Sequence, residues 1–186
     1  MIDVESIPMR KKIVTLFGGA SDSVQPVFGR AAHEFGRLVA RAGWVLRTGA
    51  GSGTSIMGRA ADGALEEGGR VEGVILSKFW DVRHRRLHLL VSVDTFALRK
   101  AGLLRGVSGV AIFPGGVGTL DEFGDVLALK QNGFLDVPLV LVNLRGYFRS
   151  LLTWTREAVR ANFMKPEDLR LFQVVRSVDA AVRAFR

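Results

Sequence analysis

The sequence predicts an α/β protein, one domain spanning residues 1–186 and built on a doubly wound, mostly parallel sheet of about seven strands. Three observations predict it. Short apolar runs of strand length alternate from end to end with stretches whose apolar residues recur at helical spacing. The glycine-rich segments fall directly after apolar runs, where the strands of a parallel sheet turn into their crossover helices. Finally, 186 residues of 48% apolar composition suffice for one substantial core, and no linker, repeat or low-complexity stretch divides them.

The first ten residues are expected to be flexible. KIVTLF (12–17) is the first strand, and FGGASDS (17–23) turns it toward a helix over 26–42 with Val27, Ala31, Phe35, Leu38 and Val39 at helical spacing. WVLRT (44–48) is the second strand and runs into a second glycine-rich turn, TGAGSGTSIMG (48–58). VEGVIL (71–76) is the third strand, and SKFWDVRHRRLHLL (77–90) reads as a loop. LLVSV (89–93) leads into VDTFALRKAGLL, a helix with Ala97, Ala101 and Leu104 inward and Arg99 and Lys100 near its start. VSGVAIF (107–113) stops at the third turn, PGGVGTLDE (114–122). PLVLVN (138–143), a helix over 145–161 with Phe148, Leu151, Leu152 and Val159, and LFQVV (171–175) complete the alternation.

Composition narrows the chemistry. Cysteine is absent, which excludes disulfides, thiolate metal sites and a cysteine nucleophile. His33, His84 and His88 are dispersed, so no metal site is expected, and none of the chemistry below needs a cofactor. No apolar run is long enough to span a bilayer, and MIDVESIPMRKK lacks the apolar core of a signal peptide, so the expected compartment is the cytoplasm, with no membrane partner. A net charge of +8 favours anionic partners. The basic residues are spread along the chain apart from Arg83-His84-Arg85-Arg86, which favours a small-anion site over a nucleic-acid surface.

In doubly wound sheets ligands bind beyond the carboxyl ends of the strands, so the three glycine turns should converge on one edge. Glycine lets backbone N–H groups approach an anion, and the following helix offers its positive N-terminus, which points to a phosphate-bearing ligand. There is no P-loop pattern, and Thr54 breaks the dinucleotide spacing in GAGSGT, which argues against NAD. Thr119-Leu120-Asp121-Glu122 fits a capping box, with Thr119 as N-cap and Glu122 returning to its amide; spacing alone favours that reading. It leaves the extra glycines unexplained and leaves room for a carboxylate that meets a ligand. Arg99 and Lys100 fit surface charges, or a guanidinium beside a phosphate or sugar.

PGGVGTLDE with the upstream Arg99-Lys100 closely resembles the Lonely Guy (LOG) family, the cytokinin riboside 5′-monophosphate phosphoribohydrolases, through its PGGxGTxxE motif. The resemblance runs from LFGGAS through the loop ending IMG (56–58), GGRVEGVI (68–75) and VPLVLVNLRGYFRSLL (137–152), roughly residues 12 to 160. It implies a modified Rossmann fold, a homodimer, and hydrolysis of a nucleoside 5′-monophosphate to free base and ribose 5-phosphate. It also implies Arg99 and Glu122 as the catalytic pair, with Arg99 keeping Glu122 ionised, and Gly115, Gly116, Gly118 and Thr119 as the phosphate seat. Lys100, Gly19, Ser21 and Asp121 complete the expected nucleotide-binding set, and Phe79 or Trp80 is placed to stack on the base or to plug its loop.

The departures from the family pattern lie in the walls. Gly18-Gly19-Ala20 replaces Gly-Ser-Ser, and Phe96, Ala97 and Leu98 replace a methionine, a histidine and an acid. Ala50 replaces a glycine in a loop one residue longer, and Val117 replaces a tyrosine. These positions bear on substrate more than on reaction type. The alternative is a non-catalytic carrier of a phosphorylated ligand, similar to molybdenum cofactor carrier proteins. A carrier has no need of both Arg99 and Glu122.

Overall fold

The computed structural model describes residues 11–186; the flexibility expected of residues 1–10 lies outside the described residues. Seven parallel strands form one sheet in the order β4-β3-β2-β1-β5-β6-β7. They are β1 (Ile13–Phe17), β2 (Val45–Thr48), β3 (Val71–Leu76), β4 (Leu89–Val93), β5 (Gly109–Ile112), β6 (Leu139–Val142) and β7 (Gln173–Val175). Each falls within its expected run, and the sheet is parallel throughout. The helices are α1 (Pro26–Arg41), α2 (Ile56–Glu66), α3 (Phe96–Leu104), α4 (Val117–Gln131), α5 (Arg149–Arg160) and α6 (Val178–Arg183).

Alternation along each strand sends side chains to two separate cores. Val14 and Leu16 of β1 pack with Phe35 and Val39 of α1, Ala60 and Ala64 of α2 and Phe185. Phe17 faces the opposite way and packs with Leu103 of α3, Phe123 and Val126 of α4, and Phe148. Thr15 shares that second face and is fully buried; its hydroxyl donates to the Leu103 carbonyl at 2.7 Å, satisfying a group that the last turn of α3 leaves open. Arg47 of β2 is buried there too, paired with Glu72 of β3 at 2.9 Å and donating to the Arg105 carbonyl at 2.6 Å.

The chain winds outward from β1 to β4, then returns to place β5 on the other side of β1. The topological switch point therefore lies between β1 and β5, and the loops leaving their carboxyl ends are residues 18–25 and 113–116. β4 is an edge strand, and Leu89 and Val91 on it remain exposed. Ala97 and Ala101 of α3 are exposed as well, contrary to the inward face expected of them, and Leu103 is the buried residue of that helix. The reason is position: α3 covers the outer strands near the sheet edge, so only a narrow stripe of it meets the core. Among the described residues no helix is long and apolar enough to cross a membrane.

Candidate active site

The three glycine turns meet at the switch point and are tied there by their own backbones. Gly19 N–H donates to the Pro114 carbonyl at 3.0 Å, and the Gly19 carbonyl accepts from Ile56 N–H at 3.1 Å, so one residue joins all three loops. Around this knot opens a cavity of about 820 Å³. Polar groups from the turns line one side, and Val24, Phe28, Ile56, Met57, Ile75 and Phe79 contribute apolar wall.

Glu122 stands on the second turn of α4, buried at the cavity floor. Arg99, on α3, reaches it with Nη1 2.7 Å from Oε1, and the two side chains are only 12% and 7% exposed. α3 is started by Thr95, whose hydroxyl accepts from Leu98 N–H at 3.2 Å, which sets the turn that carries Arg99. Gly49 makes room for the guanidinium: a Cβ there would lie 1.9 Å from Arg99 Nη2. Burial pushes the Glu122 carboxyl above the ordinary glutamate range, and the attraction and hydrogen bond of Arg99 only partly oppose this. Desolvation is the larger effect, while Arg99 acts in the expected direction, favouring the ionised carboxylate.

The capping-box expectation is corrected. α4 begins three residues earlier than that reading required, with Gly116 as N-cap, so Thr119 lies within the first turn and Glu122 beyond it. Glu122 spends its carboxylate on Arg99 rather than on an orphan amide. Gly115, Gly116, Gly118 and Thr119 all line the cavity at this N-terminus. Gly115 tolerates no side chain, since a Cβ would stand 2.1 Å from Thr119 Oγ1. Ser21 lines the cavity, its hydroxyl accepting from Ser23 N–H. Gly19 lines it too, but its amide is spent on Pro114.

Lys100 and Asp121 stand apart from the cavity lining. They pair with each other at 3.2 Å, and Lys100 reaches Asp125 at 3.3 Å, so they brace α3 against α4 behind the Arg99–Glu122 pair. Of the two aromatic candidates Phe79 lines the cavity, whereas Trp80 holds the Arg83 guanidinium 4.1 Å above its ring. Two wall residues escaped the sequence reading. Tyr147 follows β6, lines the cavity and donates its hydroxyl to the Gly115 carbonyl at 2.7 Å; the signal was its place just past a strand's carboxyl end. Asp22 lies in the first glycine turn, where the glycines drew the attention, and its carboxylate accepts from the hydroxyls of Ser52 and Thr54.

A buried histidine supports the second glycine turn from behind. His84 N–H donates to the carbonyl of Ala50, a residue held at φ +55°. His84 Nδ1 accepts from Arg86 N–H, leaving the proton on Nε2, which faces Asp62 Oδ1 at 3.1 Å.

Residues 57–185 match a protein-family profile described as "possible lysine decarboxylase". The chain is 34% identical over 178 residues to a cytokinin riboside 5′-monophosphate phosphoribohydrolase of Rhodococcoides fascians, covering 94% of this chain and 89% of that one. A Mycobacterium tuberculosis protein of the same description is 32% identical over 155 residues, 82% of each chain. Among solved structures, the molybdenum cofactor binding protein of Rippkaea orientalis superposes with a TM-score of 0.73 at 24% identity, over 94% of this chain and 95% of that one, a likeness of fold.

Proposed function

From a chain that belongs to the cytokinin riboside 5′-monophosphate phosphoribohydrolase family, we propose a hydrolase that splits the N-glycosidic bond of a nucleoside 5′-monophosphate, cytokinin riboside 5′-monophosphate or AMP, into free base and ribose 5-phosphate. The observation that carries this reading is the buried Arg99–Glu122 pair at the switch point, beside a glycine-rich helix N-terminus.

In this reading the phosphate sits against the start of α4, held by backbone amides and the Thr119 hydroxyl, where the helix N-terminus favours an anion. That anchors the ribose over Glu122. Cleavage of the C1′–N bond leaves positive charge on the ribose, which the Glu122 carboxylate stabilises. Water then forms the new C1′–O bond, gives up a proton to Glu122, and the departing base takes a proton in turn. A carboxyl raised by burial is the stronger base for that step. Arg99 orients Glu122 and contacts the sugar-phosphate. The apolar wall, with Phe79 and Phe28, receives the base. The decarboxylase wording of the family profile finds no support in Lys100, which is engaged by two aspartates outside the cavity.

We also propose that two copies pair through the apolar face beside the site. Phe96, Leu98, Val117 and Leu120 are all exposed on α3 and α4, the two helices that the Arg99 and Lys100 ion pairs hold together.

The test is incubation with AMP and with isopentenyladenosine 5′-monophosphate, following free base by chromatography. Release of base is expected, falling at least about 100-fold in Glu122→Gln while nucleotide binding persists. Tight nucleotide binding without release of base would instead identify a carrier.

A further inference from the structure

Ala50 is the strained residue of the second glycine turn. Its φ of +55° lies in the left-handed region, where a Cβ crowds the following carbonyl and glycine is the usual occupant. In the family pattern this position is a glycine. The methyl group carried here instead is buried against Gly73 of β3, where a Cβ would stand 2.8 Å from that of Ala50. A strained backbone persists only where its surroundings over-determine it. Two hydrogen bonds do so: Ala50 N–H donates to Thr48 Oγ1 at 3.1 Å, and the Ala50 carbonyl accepts from His84 N–H at 3.0 Å.

The second bond depends on where residue 84 is held. Its imidazole is only 5% exposed and is engaged at both nitrogens, Nδ1 accepting from Arg86 N–H at 3.3 Å and Nε2 facing Asp62 Oδ1 at 3.1 Å. Asp62 belongs to α2, so the ring pins the segment after β3 to a helix of the core. Neither His84 nor Asp62 lines the cavity, and the proposed reaction uses neither.

Ala50 connects this brace to the site. Gly49 and Gly51, on either side of it, line the cavity. Arg99 passes so close over Gly49 that a Cβ there would lie 1.9 Å from Nη2 and 3.1 Å from Cζ. The guanidinium therefore rests on the Gly49 backbone while its Nη1 meets Glu122 at 2.7 Å. Relaxing φ of Ala50 swings the Gly49–Ala50 peptide, and with it the surface on which Arg99 lies.

Resting on the phosphoribohydrolase reading, we infer that His84 is a positioning residue for the reaction: held by Asp62, it keeps Ala50 left-handed and so keeps Gly49 in place beneath the Arg99–Glu122 pair. Glycine at position 50 needs no such brace. His84 and Ala50 thus act as a unit, and the effect of changing one depends on the other.

The experiment is a set of variants of the full chain assayed for base release from AMP, with folding followed by circular dichroism. His84→Ala is expected to lower kcat/KM at least about 10-fold, since misplacing a reacting group by about 1 Å can cost about 100-fold. Adding Ala50→Gly, which removes the strain, is expected to restore kcat/KM to within about three-fold of wild type, and Ala50→Gly alone should stay within about two-fold. In the Arg99→Gln background His84→Ala should cost less than about two-fold, because the group it positions is gone. If His84→Ala does not fold, Asp62→Ala, which keeps residue 84 but releases its ring, carries the same comparisons. A loss that Ala50→Gly does not repair, or that persists undiminished in Arg99→Gln, makes His84 a packing residue and overturns the assignment. A loss of less than about two-fold in His84→Ala overturns it as well. Wild-type protein that binds AMP without releasing base overturns the hydrolase reading, and the same comparisons are then read as Kd for AMP by calorimetry. Wild-type protein that does neither overturns the nucleotide reading and this inference with it.

Discussion

Glu122 shows how one side chain can satisfy a local rule on paper and obey a different one in the fold. Its spacing from Thr119 fits a capping box, but Pro114-Gly115-Gly116 lets α4 begin at Val117, which turns Glu122 inward onto Arg99. Because burial raises its pKa above that of the unfolded chain, the folded protein holds this proton more tightly. Glu122 therefore adds stability below the ordinary glutamate range and withdraws it as pH rises through the folded value. For catalysis the same shift has a visible consequence: the acidic limb of kcat/KM for AMP should lie above the ordinary glutamate range. The residual activity of Arg99→Gln should show that limb displaced further upward, since the opposing charge is gone. A limb at or below the ordinary glutamate value in the wild-type profile would remove Glu122 as the base. The pair was legible through the family resemblance; that burial would raise the Glu122 pKa against the pull of Arg99 was not, because desolvation depends on side chains distant in the chain.

At the scale of elements, ion pairs supplement the apolar packing between helices on both faces of the sheet. α3 meets α4 through Arg99–Glu122 and Lys100–Asp121. On the opposite face of the sheet Glu67, just past α2, is gripped by Arg37 and Arg41 of α1 at 2.8 Å each. Hydrogen bonds from Arg41 and Arg37 pull the Glu67 carboxyl down to about 2. Its contribution is thus present above the ordinary glutamate range and lost as pH falls toward about 2. Glu67→Gln should lower Tm at pH 7 by no more than about 3 °C, as expected for an exposed cluster. The difference from wild type should shrink between pH 4.5 and 2, when both are melted across that range. A difference that stays constant would show that Glu67 acts by packing. The helical period of 26–42 predicted α1 well, but nothing in it announced that Arg37 and Arg41 would share one acid across the helix pair.

At the scale of the molecule, basic charge and cavity charge have separated. The arginines lie mostly on the outer surface, for example at Arg85 and Arg86, while the ligand cavity is walled by apolar groups, two carboxylates and one guanidinium. Phe96, Leu98, Val117 and Leu120 form one exposed apolar group beside the site, the kind of patch that a pairing face uses. Leu98→Lys places a charge in that face next to Arg99, and sedimentation velocity should then report a monomer where the wild-type chain runs as a dimer. A wild-type chain that sediments as a monomer at micromolar concentration would remove the homodimer.

Strand and helix order, the parallel sheet and the edge where the site must lie were determined by the sequence alone. Period and punctuation are local properties, and KIVTLF, VEGVIL and PGGVGT carry them in a few adjacent residues. The resemblance in PGGVGTLDE and Arg99-Lys100 likewise named the two residues that meet at the cavity floor. Tertiary structure alone decided what each charge does. It took Lys100 and Asp121 out of the cavity, spent the Gly19 amide on Pro114, and set Asp22 against Ser52 and Thr54. It also gave Glu122 its raised pKa, since desolvation depends on everything that surrounds a carboxylate. Local patterns fix the backbone's path, whereas electrostatics is a sum over neighbours that only folding brings together.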